Sequence, residues 1–200
     1  MMELVYPEGA TPIDPDEAAG LIPDHITTQA ELNEWESQNI QLSVTWAFSR
    51  KRADLLTPGF GQELHRRMFD KTWEWAGQYR KSDKNIGNPW EQIAVEVHKL
   101  LADAEYWLAR AEWSVGESAV RLHHRMVAIH PFVNGNGRHA RLLADILLFN
   151  NDLPAIAWGG HDLDVPGEAR STYLAALRAA DEGDYDPLLR YTFPGSADNI

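Results

Sequence analysis

Apolar residues recur at helical spacing along most of this 200-residue chain, whereas the alternation typical of β-strands is scarce. Thr28 followed by Glu31 has the pattern of a capping box, which marks the start of the first long helix. The spacing therefore predicts an all-α fold. Helices are expected over residues 29–50, 57–77, 91–113, 116–129, about 135–149 and 168–182, with one further turn at 187–189.

Two stretches interrupt the helical period. Residues 1–28 are rich in Pro, Asp and Gly and predict an extended lead-in with short turns. Residues 78–90 contain Asn, Gly and Pro without a helical period, which predicts a loop or short hairpin. We therefore expect a lead-in, a single helical domain over residues 29–192 and a C-terminal tail over 193–200.

Composition narrows the classes of function. A net charge of −12 argues against a nucleic-acid-binding surface, although a local basic pocket for an anion remains compatible with it. The chain has no cysteine, which excludes disulfides, thiol nucleophiles and cysteine-based zinc sites. No apolar run reaches the roughly 18–20 residues that span a membrane, and the first residues lack the build of a signal peptide. A soluble, cytoplasmic protein is expected.

The run H-P-F-V-N-G-N-G-R-H-A-R, at residues 130–141, carries the candidate chemistry. Pro131 and the glycines break the preceding helix at His130, and a second helix is expected to begin near residue 135. The N–H groups of that helix's first turn, with its dipole, would attract an anion. Glycine at 135 and 137 lets a phosphate approach the backbone. The pattern favours a phosphate site beside a potential proton acceptor.

Each residue of this run also has a structural interpretation. Asn134-Gly135 could form a hairpin turn, His130 could cap a helix, and Arg141 could pair with Asp145 four residues later. However, Asn134, Arg138 and Arg141 follow one helical face, and the flanking segments predict helices rather than strands. Taken together, the residues favour the phosphate site over the hairpin.

Eight of the twelve positions read H-P-F-x-x-G-N-G-R-x-x-R, which resembles the signature of the Fic family. Fic domains transfer AMP from ATP to a hydroxyl of a target protein. The resemblance implies a general base and a motif anchored in the core, with ATP as substrate. By this resemblance, His130 would be the base and Phe132 the anchor. Gly135, Asn136 and Gly137 would form the anion hole, to which Asn136 would add a side-chain contact. Arg138 would hold the α- and β-phosphates, and Arg141 would hold the γ-phosphate.

Further segments are similar to the same family. The sequence W-A-G-Q-Y-R at residues 75–80 resembles the W-A-G-x-x-R that precedes a flap for docking the target, which implies a flap over residues 82–90. With T-P-I-D at residues 11–14, the whole set most resembles the subgroup called mobile mystery protein B, thought to be encoded beside a small helix-turn-helix protein. The implied fold is a Fic-type helical bundle with a short β-hairpin flap. The flap residues expected to dock the target are Lys84, Asn85, Ile86 and Gly87.

Two positions depart from patterns of the family. Active Fic motifs usually carry Asp or Glu where this chain has Asn134, and that carboxylate binds Mg²⁺. Asn134 offers a neutral oxygen, a weaker ligand for a hard cation, so either metal binding would be weakened or the metal would be held mainly by phosphate and water. Doc-type kinases of the superfamily carry Lys at the position of Gly137, so this glycine favours AMP transfer over phosphate transfer.

A glutamate on a helix restrains many Fic proteins by pairing with the second motif arginine. Glu36 is the candidate here to reach Arg141, although an exposed helix carboxylate is the favoured interpretation of it. We expect a protein adenylyltransferase that uses Mg-ATP and a protein hydroxyl. The alternatives are a weakly active or inactive binding module that acts with a neighbour-encoded partner, and an enzyme that removes AMP with Glu36 positioning water.

Overall fold

A computed structural model describes residues 11–158, 163 and 167–195. The first ten residues of the lead-in, most of the link at 159–167 and the last five residues of the tail lie outside the described residues. The helices agree with the predicted all-α fold. They are α1 (Pro15–Ala18), α2 (Gln29–Ala47), α3 (Pro58–Phe69), α4 (Ile93–Arg110), α5 (Val115–Ile129), α6 (Asn136–Asn150), α7 (Glu168–Asp181) and α8 (Asp186–Thr192).

Local sequence signals set where several helices begin. The capping box at α2 is confirmed: Glu31 N–H donates to Thr28 Oγ1 over 3.3 Å, and Glu31 Oε2 accepts from Thr28 N–H over 3.0 Å. Thr57 at α3 and Ser114 at α5 cap their helices by the first of these bonds alone, since their hydroxyls accept from Phe60 N–H and Glu117 N–H. Each side chain satisfies an N–H group that the helix itself leaves without a partner.

The core lies between α5 and α6, which pack extensively against each other, while α4 covers α5 and α3 covers α6. The facing positions of α5 and α6 are apolar and buried, for example Leu122, Met126, Leu143 and Ile146. Removing this apolar surface from water is the main source of stability. The packing places the loop between α5 and α6 at one end of the bundle, next to α3.

The third helix ends earlier than predicted. It ends at Phe69 rather than at Gly77, and residues 70–79 form turns that fold back along α3. Trp73 and Trp75 stack with ring centroids 5.0 Å apart in these turns. Gly77 has φ +80°, and a Cβ there would lie 2.8 Å from the Gln62 carbonyl oxygen, so this close approach needs glycine.

The flap and the lead-in also differ from the expected shapes. Residues 82–90, all of them described, run through bends and the start of a 3₁₀ turn, so the expected β-hairpin is not formed. The lead-in is not wholly extended, since α1 forms one turn in it. Across residues 11–158, 163 and 167–195, strand pairing is limited to isolated bridges between Leu21 and Trp73 and between Tyr79 and Phe132.

No helix in these described ranges combines the length and the apolar character needed to cross a membrane.

Candidate active site

His130 stands where α5 ends, in the left-handed conformation with φ +55°. This conformation is uncommon for residues other than glycine and turns the chain sharply away from the helix. The His130 carbonyl accepts a hydrogen bond from Arg80 Nε at 2.7 Å, and its ring Nε2 lies 2.8 Å from Thr11 Oγ1. The residue is only 6% exposed, so a buried imidazole faces the lead-in.

The surroundings keep this imidazole neutral. Burial, together with the positive charges of Arg80 and Lys84, lowers the pKa of His130 to about 4, although the Val127 carbonyl acts in the opposite direction. A ring with this pKa is unprotonated near pH 7 and can accept a proton. The residue that the sequence singled out as a base therefore has the protonation state that a base needs.

The loop after His130 is fixed by Phe132 and Asn136. Phe132 is 1% exposed and lies in the core. The Asn136 side chain bonds to both backbone groups of Phe132: its Oδ1 accepts from the N–H and its Nδ2 donates to the carbonyl, each at 2.8 Å. Asn136 was expected to add a side-chain contact to phosphate. Its amide is instead committed to the loop, which leaves its backbone N–H as the group that can meet an anion.

His65 on α3 is a positioning residue that the sequence did not reveal. Its ring stacks on Phe132 with centroids 3.8 Å apart. Gly77 N–H donates to its Nδ1 at 2.9 Å, so Nε2 carries the ring proton and donates to the Asn134 carbonyl at 3.0 Å. Burial holds the pKa of His65 well below its usual value, with the charge of His139 adding to the effect. A single histidine on a helix gives no sequence signal for this role.

The start of α6 forms the phosphate side of the site. Gly135 caps the helix with φ +77°, and a Cβ there would lie 2.5 Å from the Phe69 ring, so the turn requires glycine. The first N–H groups of a helix point outward without intrahelical partners and attract anions. A Cβ built at Gly137 would lie 3.5 Å from Arg141 Nη1, so that guanidinium lies against the first turn of α6.

Arg138 makes an ion pair with Glu36, at 2.6 Å between Nη1 and Oε2. The other carboxylate oxygen of Glu36 accepts from Trp73 Nε1 at 2.7 Å, and Glu36 is only 6% exposed. Both sequence interpretations of Glu36 need correction. It is not an exposed helix carboxylate, and its partner is Arg138 rather than Arg141, because Trp73 and Arg138 together orient both of its oxygens.

Asn134 links the two sides of the site. Its Oδ1 accepts from Gly135 N–H at 2.7 Å and from Arg138 Nη2 at 3.3 Å, and its Nδ2 donates to the Thr11 carbonyl at 3.2 Å. As a cation ligand it offers one neutral oxygen that already faces a guanidinium. In the described part of the chain, no cluster of three or more His, Asp or Glu side chains could hold a metal ion.

Arg80 holds the flap over His130. In addition to the His130 carbonyl, its buried guanidinium donates to the carbonyls of Ser82 and Asn88, at opposite ends of the flap. This side chain replaces the hydrogen-bond ladder of a hairpin. Burial is the main reason that the pKa of Arg80 is lowered, and the charge of Asp83 opposes this. A Cβ on Gly87 would lie 2.6 Å from His130 Cβ, so the flap contacts the candidate base directly.

The predicted docking residues of the flap have different surroundings. Ile86 is 41% exposed, and Asn85 is also exposed. The ammonium of Lys84 pairs with Asp14 at 2.6 Å and with Glu17 at 2.5 Å, so the lead-in already occupies it. The contacts of Thr11 and of these two carboxylates were not predictable from the sequence, where the T-P-I-D resemblance at residues 11–14 is the signal for this segment.

The fold and the site together define a helical domain with a neutral base next to an arginine-bearing helix start. Comparison with known families gives the same class, since residues 55–148 match the family model described as Fic/DOC family. This part of the chain is a Fic/DOC family domain.

Similar proteins have been named or solved. Protein adenylyltransferase fic-1 of Caenorhabditis briggsae is 32% identical over 143 residues, which are 69% of this chain and 27% of that protein. Fic-1 from C. elegans superposes with a TM-score of 0.60 at 25% identity, covering 87% of this chain and 51% of the other. BepC from Bartonella tribocorum, solved with bound AMPPNP, gives 0.63 at 18% identity, covering 84% and 87%. This chain spans about a quarter of the length of the curated relatives it matches.

Proposed function

We propose that this chain is a protein adenylyltransferase, which transfers AMP from ATP to a hydroxyl side chain of a target protein. One observation carries the proposal. The neutral imidazole of His130 lies at the end of α5, one short loop away from the start of α6, where Arg138 and Arg141 project. A base and an anion site at this spacing suit attack on a phosphate ester. The names of the curated relatives support the same reaction.

In the proposed reaction the target hydroxyl gives its proton to Nε2 of His130 while its oxygen bonds to the α-phosphorus of ATP. The bond between that phosphorus and the bridging oxygen of pyrophosphate breaks. The backbone N–H groups of Asn136 and Gly137 and the guanidinium of Arg138 hold the α- and β-phosphates. Arg141, against the same turn, holds the γ-phosphate.

Glu36 restrains the protein in this proposal. Its carboxylate lies 2.6 Å from the Arg138 guanidinium that would bind phosphate, so ATP has to displace it. Glu36 is buried and the Arg138 side chain is 25% exposed, so separating this partly buried pair is unfavourable unless another anion, such as phosphate, takes the place of the carboxylate. Glu36 therefore acts on nucleotide affinity.

Magnesium would accompany ATP and offset the charge of the phosphates. Asn134 fits it poorly as a ligand, because its Oδ1 already accepts from Gly135 N–H and from Arg138. The phosphates and water would therefore supply most of the coordination, with at most a weak contribution from Asn134 Oδ1.

Further features of the proposal concern partners. The exposed Asn85 and Ile86 of the flap would contact the target segment, while Gly87 keeps the flap close to His130. By resemblance to mobile mystery protein B, a small helix-turn-helix protein would be a binding partner and the cytoplasm the site of action. Co-purification of the two proteins from one operon tests the partner.

Parallel reactions with α-labelled and γ-labelled ATP test the activity, using purified protein, Mg²⁺ and cell lysate. Label that transfers from the α-position only, and is lost in His130→Ala, is the expected result. Transfer from the γ-position would indicate a kinase. Absence of transfer with both the wild type and Glu36→Gly would overturn the adenylyltransferase and favour the binding module that Asn134 suggests.

A further inference from the structure

Thr11 occupies the place that a substrate hydroxyl would take. Its Oγ1 lies 2.8 Å from Nε2 of His130, and the residue is 4% exposed. A general base must come within about 2.6–3.2 Å of the atom whose proton it removes. With the ring neutral and its proton on Nδ1, Nε2 accepts a hydrogen bond from the Thr11 hydroxyl. The aliphatic hydroxyl of the chain itself is therefore aligned with the candidate base.

The backbone of Thr11 is fixed as well as its side chain. The Thr11 carbonyl accepts from Asn134 Nδ2 at 3.2 Å. The Oδ1 of the same asparagine accepts at 2.7 Å from Gly135 N–H, at the cap of the helix whose first turn forms the phosphate side. One side chain thus joins the hydroxyl-bearing residue to the phosphate side. This link fixes the residue that carries the hydroxyl relative to both the base and the start of α6.

Polar contacts hold the lead-in under the flap. Asp14 and Glu17 pair with Lys84, whose side chain is only 3% exposed. Glu17 also accepts from Ser82 Oγ at 3.1 Å through its carboxylate and from Trp75 Nε1 at 3.1 Å through its carbonyl. The lead-in therefore contacts the flap and the base together, as a docked target segment would have to do.

A purely structural role for Thr11 explains less of this arrangement. In the buried rings of His65 and His139, Nε2 pairs with a backbone carbonyl, that of Asn134 or of Gly61. A backbone carbonyl can accept a hydrogen bond but cannot act as a nucleophile. His130 instead faces a hydroxyl that can lose its proton and form a phosphate ester. Phenol hydroxyls also face the buried His123 and His124, each at 2.8 Å, but the partner of His130 is an aliphatic hydroxyl on a residue that bonds to Asn134 beside the start of α6.

We infer that Thr11 is an intramolecular acceptor, so that the chain adenylylates its own Thr11 hydroxyl; this rests on the proposed function. The Thr11 Oγ1 forms a bond to the α-phosphorus of ATP as the bond from that phosphorus to pyrophosphate breaks. The hydroxyl proton passes to Nε2 of His130 and then to solvent. The product carries AMP on the lead-in, next to the flap that would contact other targets. Self-modification and modification of a target therefore compete.

Intact-mass measurement and peptide mapping after incubation of the full chain with Mg-ATP test this inference. The wild type and a Glu36→Gln variant should each gain one adenylyl group on the peptide that contains Thr11. Thr11→Val keeps the branched shape without the hydroxyl and should lose at least nine-tenths of this label, whereas Thr11→Ser should retain it. The exposed Thr45→Val is the matched control and should label as the wild type does. The rate should not depend on protein concentration, because the acceptor is intramolecular.

Different outcomes separate this inference from the proposed function. If the protein transfers AMP to lysate proteins but Thr11 stays unmodified, or if Thr11→Val labels normally, the acceptor role is overturned while the activity stands. A labelling rate that rises in proportion to protein concentration would also overturn it, since the acceptor would then lie on another copy. If calorimetry shows that neither the wild type nor the Glu36→Gln variant binds ATP, the proposed function fails, and the inference about Thr11 fails with it.

Discussion

The base side and the phosphate side of the site are both held by groups of the protein itself, but by different interactions. On the base side, Thr11 makes a neutral hydrogen bond to His130. On the phosphate side, the buried Glu36 makes an ion pair with the partly exposed Arg138. A neutral hydrogen bond contributes about 0.5–1.5 kcal/mol and one to a charged group about 1.5–3 kcal/mol. Moving the Thr11 hydroxyl away from His130 therefore costs less than moving the Glu36 carboxylate away from Arg138, whereas displacing the whole lead-in also requires breaking the ion pairs of Lys84 with Asp14 and Glu17.

Arg80→Ala should give the largest effect on stability, because the Arg80 side chain holds the flap and the His130 backbone together. Its guanidinium is buried and serves three carbonyls, those of His130, Ser82 and Asn88. Leaving a buried acceptor unsatisfied costs about 1–3 kcal/mol, so the free energy of unfolding should fall by about 3 kcal/mol or more. Chemical denaturation measures this, and nucleotide transfer should fall together with it.

Arg50→Ala is the matched control, since Arg50 is exposed, and it should change the free energy of unfolding by less than about 0.5 kcal/mol. Equal stability of the two variants would contradict the role given to Arg80. It would also mean that the flap does not depend on this side chain.

Glu36→Gln should act on the phosphate side alone. The amide keeps an oxygen for Trp73 Nε1 but removes the negative charge that now faces Arg138. Since the displaced charged contact is worth about 1.5–3 kcal/mol, ATP affinity should rise about tenfold to 100-fold. Isothermal titration calorimetry measures the change.

Glu34→Gln, an exposed change on the same helix, should leave ATP affinity as in the wild type. If Glu36→Gln binds ATP no more tightly than this control, the carboxylate does not compete with phosphate. The acceptor side offers a further check, because the labelling pattern of Thr11 should keep its position in Glu36→Gln while its rate increases.

The parts of the molecule that the sequence predicted are local, and the parts that it missed are long-range. The capping box at Thr28 and the turn before α6 depend on neighbouring residues, and both were predictable. Thr11 meets His130 across 119 positions, and Glu36 meets Arg138 across 102. Helical periodicity predicts which face of its helix a residue occupies, but it does not predict which distant residue packs against that face. The predicted helix over residues 57–77 failed for a related reason, because its tryptophans pack on each other in turns.

Asn134→Asp should have a moderate effect on the Mg²⁺ requirement of transfer, because Asn134 lies between the base side and the phosphate side. A carboxylate is a better ligand than an amide for Mg²⁺, and it would also face Arg138, which now lies 3.3 Å from Oδ1. The Mg²⁺ concentration that gives half-maximal transfer should fall roughly tenfold, by about the 1.4 kcal/mol of one improved contact. Asn33→Asp on the exposed face of α2 controls for charge. An unchanged Mg²⁺ requirement would exclude Asn134 from the metal's surroundings.

The smallest expected effect is that of pH on the transfer rate. A rate that does not change with pH is informative, because it reports the low pKa of His130. Protonated Nε2 cannot accept the hydroxyl proton, so the base is active above its pKa and inactive below it. Because burial lowers the pKa of His130 to about 4, only about 1% of the ring is protonated at pH 6. The transfer rate at saturating ATP should stay nearly constant from about pH 5.5 to 8.

A histidine with its usual pKa of about 6.5 would instead lose roughly three-quarters of its activity at pH 6. Measuring ATP affinity at each pH separates protonation of the nucleotide from that of the base. A fall centred near pH 6.5 would mean that water reaches His130 during turnover, and hence that the lead-in leaves the base before transfer. A flat profile in the wild type means that an acceptor, Thr11 or a target in its place, shields the ring throughout.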